Sequence, residues 1–450
     1  MARTDVDMTQ GSIWKHLVRF ALPMMLGLVF QQLYNAVDSI VVGQFVSRQA
    51  LAAVGSTGSI LNTMIGLSTG LAMGSTVTIS QSYGAHDYER LHKAVHTTMM
   101  LTVILSVIMT AAGLMLVGPL LQMMDTPQDV LPEASAYLRV ILSGISGLLF
   151  YNMGSGILRA VGDSKRPLYF LILSAILNVV FDLLFVIIFQ LGVRGVAYAT
   201  ILSQFISAAL VVLILCRETG PYRVQLHKVR LHLPVLKKIL AIGLPTAVQL
   251  VLTNFSNVFV QSYINFFGSA AMAGWSSYNK VDAFLTIPMQ AISMASTTFV
   301  GQNFGAKNLA RARQGVKQSA ILAASVTLAM ALIIMLLAGP AIRLFSADPE
   351  VIELGVHFVL LISPFYTFIC INQVLAGTLR GVDNARIPMV LLLFSYVFFR
   401  QAYLFVARQL GNHLSAIAFS YPMGWICALI LLLIAYRRSV LFREKAEQTA

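Results

Sequence analysis

Runs of about 20 consecutive apolar residues recur along the whole chain, and this feature constrains the fold more than any other. A helix of that length crosses the ~30 Å hydrocarbon core of a bilayer. Of the 450 residues, 57% are hydrophobic and only 11% are charged, whereas a soluble domain carries about 25% charged residues. The sequence therefore predicts an all-α, polytopic membrane protein, and no polar stretch is long enough for a soluble domain.

The apolar runs predict twelve transmembrane helices. Helices are favoured because every backbone polar group in lipid must be bonded within the protein. The predicted spans lie near residues 13–42, 52–82, 93–120, 132–156, 167–190, 195–216, 239–266, 281–302, 315–340, 353–378, 388–409 and 415–436.

The basic residues predict the orientation of these spans. All but seven of the 31 Lys and Arg residues lie in the two terminal segments or in alternate loops on the same side. Positively charged loops stay in the cytoplasm, so both termini are expected there, in a plasma-membrane or inner-membrane protein. The formal net charge of +13 is thereby explained without a nucleic-acid partner. The seven exceptions are Arg48, Arg139, Arg194, Lys280, Arg343, Arg400 and Arg408.

The chain also repeats itself at an offset of about 221 residues. The segment SQSYGAHDYER at 80–90 matches GQNFGAKNLAR at 301–311, and LRAVGDSKRP at 158–167 matches LRGVDNARIP at 379–388. Since six spans separate the copies, both face the same way, as in transporters built from parallel repeats. We expect an N-terminal six-helix lobe at 1–216, a cytoplasmic linker at 217–238 and a C-terminal six-helix lobe at 239–450.

Two carboxylates interrupt the apolar spans of the first half. Asp38 shares one helical face with Tyr34, and Asp182 shares one with Asn178, since both pairs are four residues apart. Counted from the outer ends of their spans, both acids and Thr200 lie at a similar depth, about 8–15 Å below the outer surface. These side chains can therefore converge within one lobe.

Such a set suits a small cation or a proton. Oxygen atoms from Asp38, Asn178, Asp182 and Thr200 are hard ligands that fit Na⁺, and two adjacent carboxylates can share a proton. Intramembrane acids usually serve function. The alternative is that the acids are separate structural residues, each bonded to a neighbouring helix, and that Thr200 only bonds its own backbone.

The second half lacks these acids, because Val260 and Tyr403 stand at the matching positions. Polar groups of other kinds occur there and either line a substrate cavity or bond between helices. An intramembrane arginine in this set needs a partner or a water-filled cavity. The candidate cavity residues are Asn257, Gln261, Asn372, Gln373 and Arg400.

Pro23 lies within the first span, fifteen residues before Asp38. A proline inside a membrane helix frees a carbonyl group and permits a bend. Such a bend would move Asp38 and couple ion binding to gating. Alternatively, Pro23 only shapes the start of the helix.

These residues resemble the multidrug and toxic compound extrusion (MATE) transporters over about residues 12–436. The resemblance rests on YNAVDSIVVGQFVSRQALAAVG at 34–55, the Q-x-Y/F-G-A loops at 81–85 and 302–306, and the LRAVGD and LRGVDN segments. It implies twelve helices in two six-helix lobes around a V-shaped central cavity. It also implies a cation site at Tyr34, Asp38, Asn178, Asp182 and Thr200, a gating proline at Pro23, and closer kinship to the DinF-like branch.

The function that the resemblance implies is export of organic cations and amphipathic drugs by antiport with Na⁺ or H⁺, through alternating access. The protein is then not an enzyme, needs no cofactor, and works as a monomer among membrane lipids. The main alternative is a lipid-linked saccharide flippase of a related superfamily, for which Arg400 is the one obvious phosphate ligand. A channel or membrane-embedded enzyme is a weaker alternative, because an enzyme would need a recognisable catalytic constellation, and the sequence has no HExxH motif.

Overall fold

The computed structural model describes residues 6–124 and 126–442 of the chain. These residues form α-helices, two π-helical turns and two short 3-10 helices, with no β-strand among them. Eleven helical segments are long and apolar enough to cross a membrane, and there are twelve when the bent pair Leu131–Ser143 and Ile145–Ala160 is counted as one span. The prediction of an all-α protein with twelve spans is thus confirmed.

The first half of the chain contains seven α-helices. The fourth span bends by 45° at Gly144, a feature that was not predicted from the sequence. The helices are α1 Ile13–Phe45, α2 Arg48–Gly84, α3 Tyr88–Met123, α4 Leu131–Ser143, α5 Ile145–Ala160, α6 Lys165–Asp182 with the π-helical turn Leu183–Ile188, and α7 Gly192–Arg217.

A short 3-10 helix, Leu226–Lys228, lies in the linker that precedes the second half. The helices that follow are α8 Leu233–Asn265, α9 Ser269–Gly305, α10 Leu309–Leu336, α11 Ala338–Arg343, α12 Pro349–Ile362, the 3-10 turn Ser363–Phe365, α13 Tyr366–Gly381, α14 Arg386–Leu393 with the π-helical turn Phe394–Phe399, α15 Arg400–Gln409, α16 Leu414–Ala418 and α17 Ser420–Arg437.

The sequence repeat appears as a repeat of structure. Helices α1 and α8 each have 33 residues, and α2 and α9 each have 37. The GAHD and GAKN motifs form the same tight turn in both halves: His86 and Lys307 adopt positive φ angles of 54° and 57°. The next residues, Asp87 and Asn308, then cap α3 and α10 by accepting hydrogen bonds from backbone amides.

The contacts divide the chain into two compact units. Among the described residues, the first unit contains 6–7 and 26–243, and the second contains 8–25 and 244–442. The divisions therefore fall inside two continuous helices, α1 and α8. The start of each helix belongs to one unit and the remainder to the other.

Within the first unit, α2 packs very closely against the beginning of α8. A Cβ atom placed on Gly74 would lie 2.3 Å from the carbonyl oxygen of Ile239 and 2.7 Å from the backbone nitrogen of Gly243. Only a residue without a side chain permits this approach. Small residues at helix crossings are common in membrane proteins. Here they hold the beginning of α8 against α2 within the first unit.

Candidate cation-coupling site

Asp38 lies in the second part of α1, in the first unit, one turn before two residues of a buried apolar cluster. This apolar cluster includes Val41 and Val42 from α1, Val186 from the π-helical turn, and Val196 from α7. Asp38 itself is 9% exposed. Burial of the apolar face of α1 therefore carries the carboxyl group into the interior.

Asp182 is the last residue of α6, immediately before the π-helical turn Leu183–Ile188. π-helical turns are rare and are frequently found at functional sites. The wider turn is accommodated by Gly195 of α7, where an added Cβ would approach the carbonyl carbon of Phe185 to 3.2 Å. Asp182 is fully buried, and so is Asn178 one turn earlier.

The carboxyl groups of Asp38 and Asp182 lie near enough to each other to interact electrostatically. Five buried polar atoms in this group have no hydrogen-bond partner among the described residues: Oδ1 of Asp38, both side-chain polar atoms of Asn178, and both carboxyl oxygens of Asp182. Unpaired buried polar atoms are costly and rare in folded proteins. Their concentration at one point indicates that something else satisfies them.

Two tyrosines complete the surroundings of this pair. The phenol of Tyr34 lies within electrostatic range of Asp38, and that of Tyr137 on α4 lies within range of Asp38, Asp182 and Tyr34. Tyr34 was among the predicted residues, whereas Tyr137 was not. Its only sequence signal is a tyrosine in the fourth span, and the chain has 15 tyrosines.

Thr200 lies on α7, and its hydroxyl donates a hydrogen bond of 3.0 Å to the carbonyl oxygen of Val196 in the same helix. A backbone bond of this kind is the alternative to ion binding that was expected for a threonine in a membrane helix. The hydroxyl oxygen keeps a lone pair that can accept a hydrogen bond or bind a cation. The described contacts bring together Tyr34, Asp38 and Asp182, with Asn178 beside Asp182, and they leave the contribution of Thr200 as a prediction.

A cluster of this composition can hold one cation or one or two protons. Two carboxylates in contact repel each other in a medium of low dielectric constant, and either a cation between them or a proton on one of them removes that repulsion. The amide oxygen of Asn178 adds a neutral ligand for a cation, while its amide nitrogen can donate to a carboxylate. The residues present therefore fit the coupling ion that was predicted.

Pro23 is buried and lies well inside α1, within the second unit, while Asp38 belongs to the first. The helix is continuous from Ile13 to Phe45, and about 22 Å of it separates the two residues. A change of shape at Pro23 would therefore be transmitted along α1 to Asp38. The gating role stays a prediction.

In the second unit, Arg400 and Asn257 are in direct contact. Nη2 of Arg400 donates to Oδ1 of Asn257 at 2.9 Å and to Oγ of Ser256 at 2.7 Å. The guanidinium group also lies 4.7 Å from the centre of the Tyr421 ring. The predicted intramembrane arginine thus has neutral and aromatic partners.

The other predicted cavity residues of the second unit have hydrogen-bond partners other than this pair. Asn372 is fully buried and donates to the hydroxyl of Tyr396 and to the carbonyl of Trp425. Gln261 donates to Asn265 one turn later on α8 at 2.8 Å. Gln373 is partly buried, and its backbone carbonyl oxygen accepts a 2.7 Å hydrogen bond from the hydroxyl of Ser293.

A third intramembrane acid, Asp282 on α9, was not among the predicted site residues. Its carboxylate accepts hydrogen bonds from the hydroxyls of Tyr278 and Tyr366, which are themselves 2.9 Å apart. The tyrosine four residues earlier, at position 278, was the available sequence signal. This acid has two phenol donors, in contrast to the unpaired oxygens of Asp182.

Known structures closely match the whole chain. One solved structure, described as an outward-facing conformation of a multidrug resistance MATE family transporter of the MOP superfamily, matches with a TM-score of 0.92 and 25% identity, covering 100% of both chains. A MOP superfamily transporter from Pyrococcus furiosus matches with a TM-score of 0.91 and 25% identity over 97% of this chain and 98% of that one. The binding pocket of that second transporter is described as having reverse polarity, which suggests a different function for it.

Sequence comparison gives the same assignment. The "Probable multidrug resistance protein YpnP" of Bacillus subtilis is 31% identical over 397 residues, 87% of each chain. The "Probable multidrug resistance protein NorM" of Thermotoga maritima is 29% identical over 84% of this chain and 82% of that protein. The MatE family model matches residues 23–184 and 245–403, one copy in each half. The chain therefore belongs to the MATE family of multi-pass membrane transporters, and it is not an enzyme.

Proposed function

We propose that this protein is a cation-coupled antiporter that exports organic cations and amphipathic drugs, with Asp38 and Asp182 as the coupling-ion site. The observation that supports the proposal is the proximity of two buried carboxyl groups, of whose oxygens Oδ1 of Asp38 and both of Asp182 are buried with no hydrogen-bond partner among the described residues. The relatives named as probable multidrug resistance proteins support the substrate class. The DinF-like branch and the monomeric state belong to the same proposal.

In the proposed cycle, Na⁺ or H⁺ enters the site from the outside and removes the repulsion between the two carboxylates. Loss of the repulsion changes the packing of α1 against the π-helical turn and α7, and this change releases the drug outward. Release of the ion to the cytoplasm restores the charged pair and the drug-binding state. Alternating access then follows if ion and drug favour different conformations, because a ligand shifts an equilibrium only by its differential affinity.

The charge balance of the cycle matters for its driving force. Moving one elementary charge across a membrane is worth about 2.3 kcal/mol per 100 mV. Exchange of one monovalent cation for one cationic drug moves no net charge, so only the chemical gradient of the ion would drive it. Two carboxylates can take up two protons per drug, and the membrane potential would then contribute as well.

The test is efflux of ethidium from proteoliposomes with an imposed Na⁺ or H⁺ gradient. We expect one of the two gradients to drive efflux by the wild type, and Asp38→Asn to abolish this gradient-driven component. Asp282→Asn is the matched control, because Asp282 is also an intramembrane acid but has phenol donors. Efflux that is equally fast in Asp38→Asn and wild type would refute the proposed site. Absence of gradient-dependent efflux from the wild type would favour lipid-linked saccharides as substrates.

A further inference from the structure

Arg400 is a buried cation in the second unit that lacks an anionic partner among the described residues. Its side chain is 3% exposed, and its hydrogen-bond acceptors, Ser256 and Asn257, are neutral. The Nε–H group is buried and has no hydrogen-bond partner in the described part of the chain. A buried guanidinium without a counter-charge is unfavourable, and intramembrane charges are retained mainly where they bind something.

Asp282, a partly buried acid in the same unit, makes no ion pair with Arg400. Its carboxylate is engaged by the hydroxyls of Tyr366 and Tyr278, and the ion pairs found in the described residues do not include Arg400. Tyr421 lies next to the guanidinium, with its ring centre 4.7 Å away. The positive charge therefore meets neutral oxygens and an aromatic face.

The groups around Arg400 are partly open to solvent or ligand. Asn257 is exposed and Tyr421 is half-buried, and the Tyr421 hydroxyl donates to the same Asn257 oxygen at 3.4 Å. Behind Tyr421 lie Trp275 and Trp425, whose ring centres are 5.6 and 6.1 Å from that of Tyr421. A ligand can therefore reach the guanidinium by displacing the Asn257 amide while its apolar part contacts the half-buried ring of Tyr421, which the buried Trp275 and Trp425 support.

We infer that Arg400, Asn257 and Tyr421 form a subsite for the anionic oxygen group, carboxylate or phosphate, of an aromatic or aliphatic amphiphile. Guanidinium groups match both oxyanions through parallel N–H donors, and the unpaired Nε–H supplies one such donor. The subsite extends the ligands of this transporter beyond simple organic cations to zwitterions and amphipathic anions. Binding at this subsite needs no coupling ion, so it does not depend on the proposed role of Asp38.

The test is equilibrium binding, by fluorescence anisotropy, of two dyes to the purified full-length protein without any gradient. Rhodamine B carries a carboxylate and is a zwitterion, whereas its ethyl ester carries the same chromophore with only the positive charge. We expect Arg400→Gln to weaken rhodamine B binding about 10- to 100-fold, as for loss of a charge-assisted hydrogen bond, and to change binding of the ester less than about twofold. Arg400→Lys should recover part of the loss.

A second variant decides the question if Arg400→Gln does not fold. Asn257→Asp places a carboxylate beside the guanidinium, which should stabilise the protein and compete with an anionic ligand. We expect it to weaken rhodamine B binding and to leave the ester unaffected or bound more tightly. Displacement of rhodamine B by dodecanoate supports a carboxylate ligand, and displacement only by monododecyl phosphate supports a phosphate ligand. Equal effects of both substitutions on the two dyes, or no effect on either, would overturn the inference.

Discussion

At the scale of single residues, Asp182 is the most informative side chain of the candidate site. Both of its carboxyl oxygens are buried without a hydrogen-bond partner among the described residues, and it contacts a second acid. A site of this kind is unstable until it binds its ligand, because repulsion and lost hydration both oppose the charged pair. A substitution of Asp182 that removes its function is therefore expected to increase the stability of the ion-free protein.

We expect Asp182→Asn to raise the melting temperature of the ion-free protein and to abolish its response to the coupling ion. In the wild type, an ion at 100 times its dissociation constant should stabilise the folded state by about 2.7 kcal/mol. The measurement is thermal unfolding in detergent, with and without Na⁺ at high pH and then across a pH series. Ser174→Ala on the same helix is the control. A variant that responds to the ion as the wild type does would exclude Asp182 from the site.

At the scale of helices, the close approach of α2 and α8 at Gly74 is the contact most sensitive to a single methyl group. A Cβ at this position would collide with backbone atoms of Ile239 and Gly243, whereas a Cβ on Gly58 of the same helix meets nothing within 4 Å. Comparing alanine substitutions at the two glycines therefore distinguishes an effect on helix packing from an effect on helix propensity.

We expect Gly74→Ala to destabilise the protein by about 1–3 kcal/mol, the usual cost of overpacking. In contrast, Gly58→Ala should stabilise it by about 0.5–1 kcal/mol, because alanine favours helix over glycine. Melting temperature and yield of monodisperse protein in detergent measure both effects. Equal stability of the two variants would mean that the helices separate easily at this crossing.

The sequence predicted the long helices well and the irregular turns poorly, for a physical reason. The bilayer sets the length of the apolar runs and the side on which basic loops lie, so the twelve spans could be predicted from the sequence. The repeat could be predicted because matching segments recur at a fixed offset. The π-helical turns at 183–188 and 394–399 have no local signature, because the same apolar residues also form α-helix. The bend at Gly144 and the position of Tyr137 likewise depend on packing between helices, which a single sequence does not encode in a readable pattern.

Residues of the candidate site could be predicted where a charged side chain interrupts an apolar span, but not where the residue type is common in membrane helices. Asp38 and Asp182 were predicted because a carboxylate in an apolar span needs an explanation; in the structure the two lie near enough to interact, and their role in ion coupling stays a prediction. Asp282 is only partly buried, and its place at the outer start of the predicted eighth span made it look peripheral. Its phenol donors Tyr278 and Tyr366 are 88 residues apart, so their pairing requires the folded chain.

At the scale of the whole molecule, the distribution of basic residues and the even number of spans predict that both termini lie in the cytoplasm. We expect green fluorescent protein fused to the C-terminus to fluoresce. Alkaline phosphatase should be active when fused after residue 191, between the fifth and sixth spans, and inactive after residue 220 in the linker. The reverse pattern would contradict the predicted orientation and the side of the membrane from which the ion is proposed to enter.

The division of α1 and α8 between the two compact units has a consequence for synthesis of the protein. The first unit requires residues up to Gly243, which include the first eleven residues of α8. The ribosome must therefore translate past the linker before that unit can close. Residues 8–25, among the first to leave the ribosome, belong to a unit that is completed last. A gene split after codon 243 should accordingly give a better-folded first fragment than one split after codon 216.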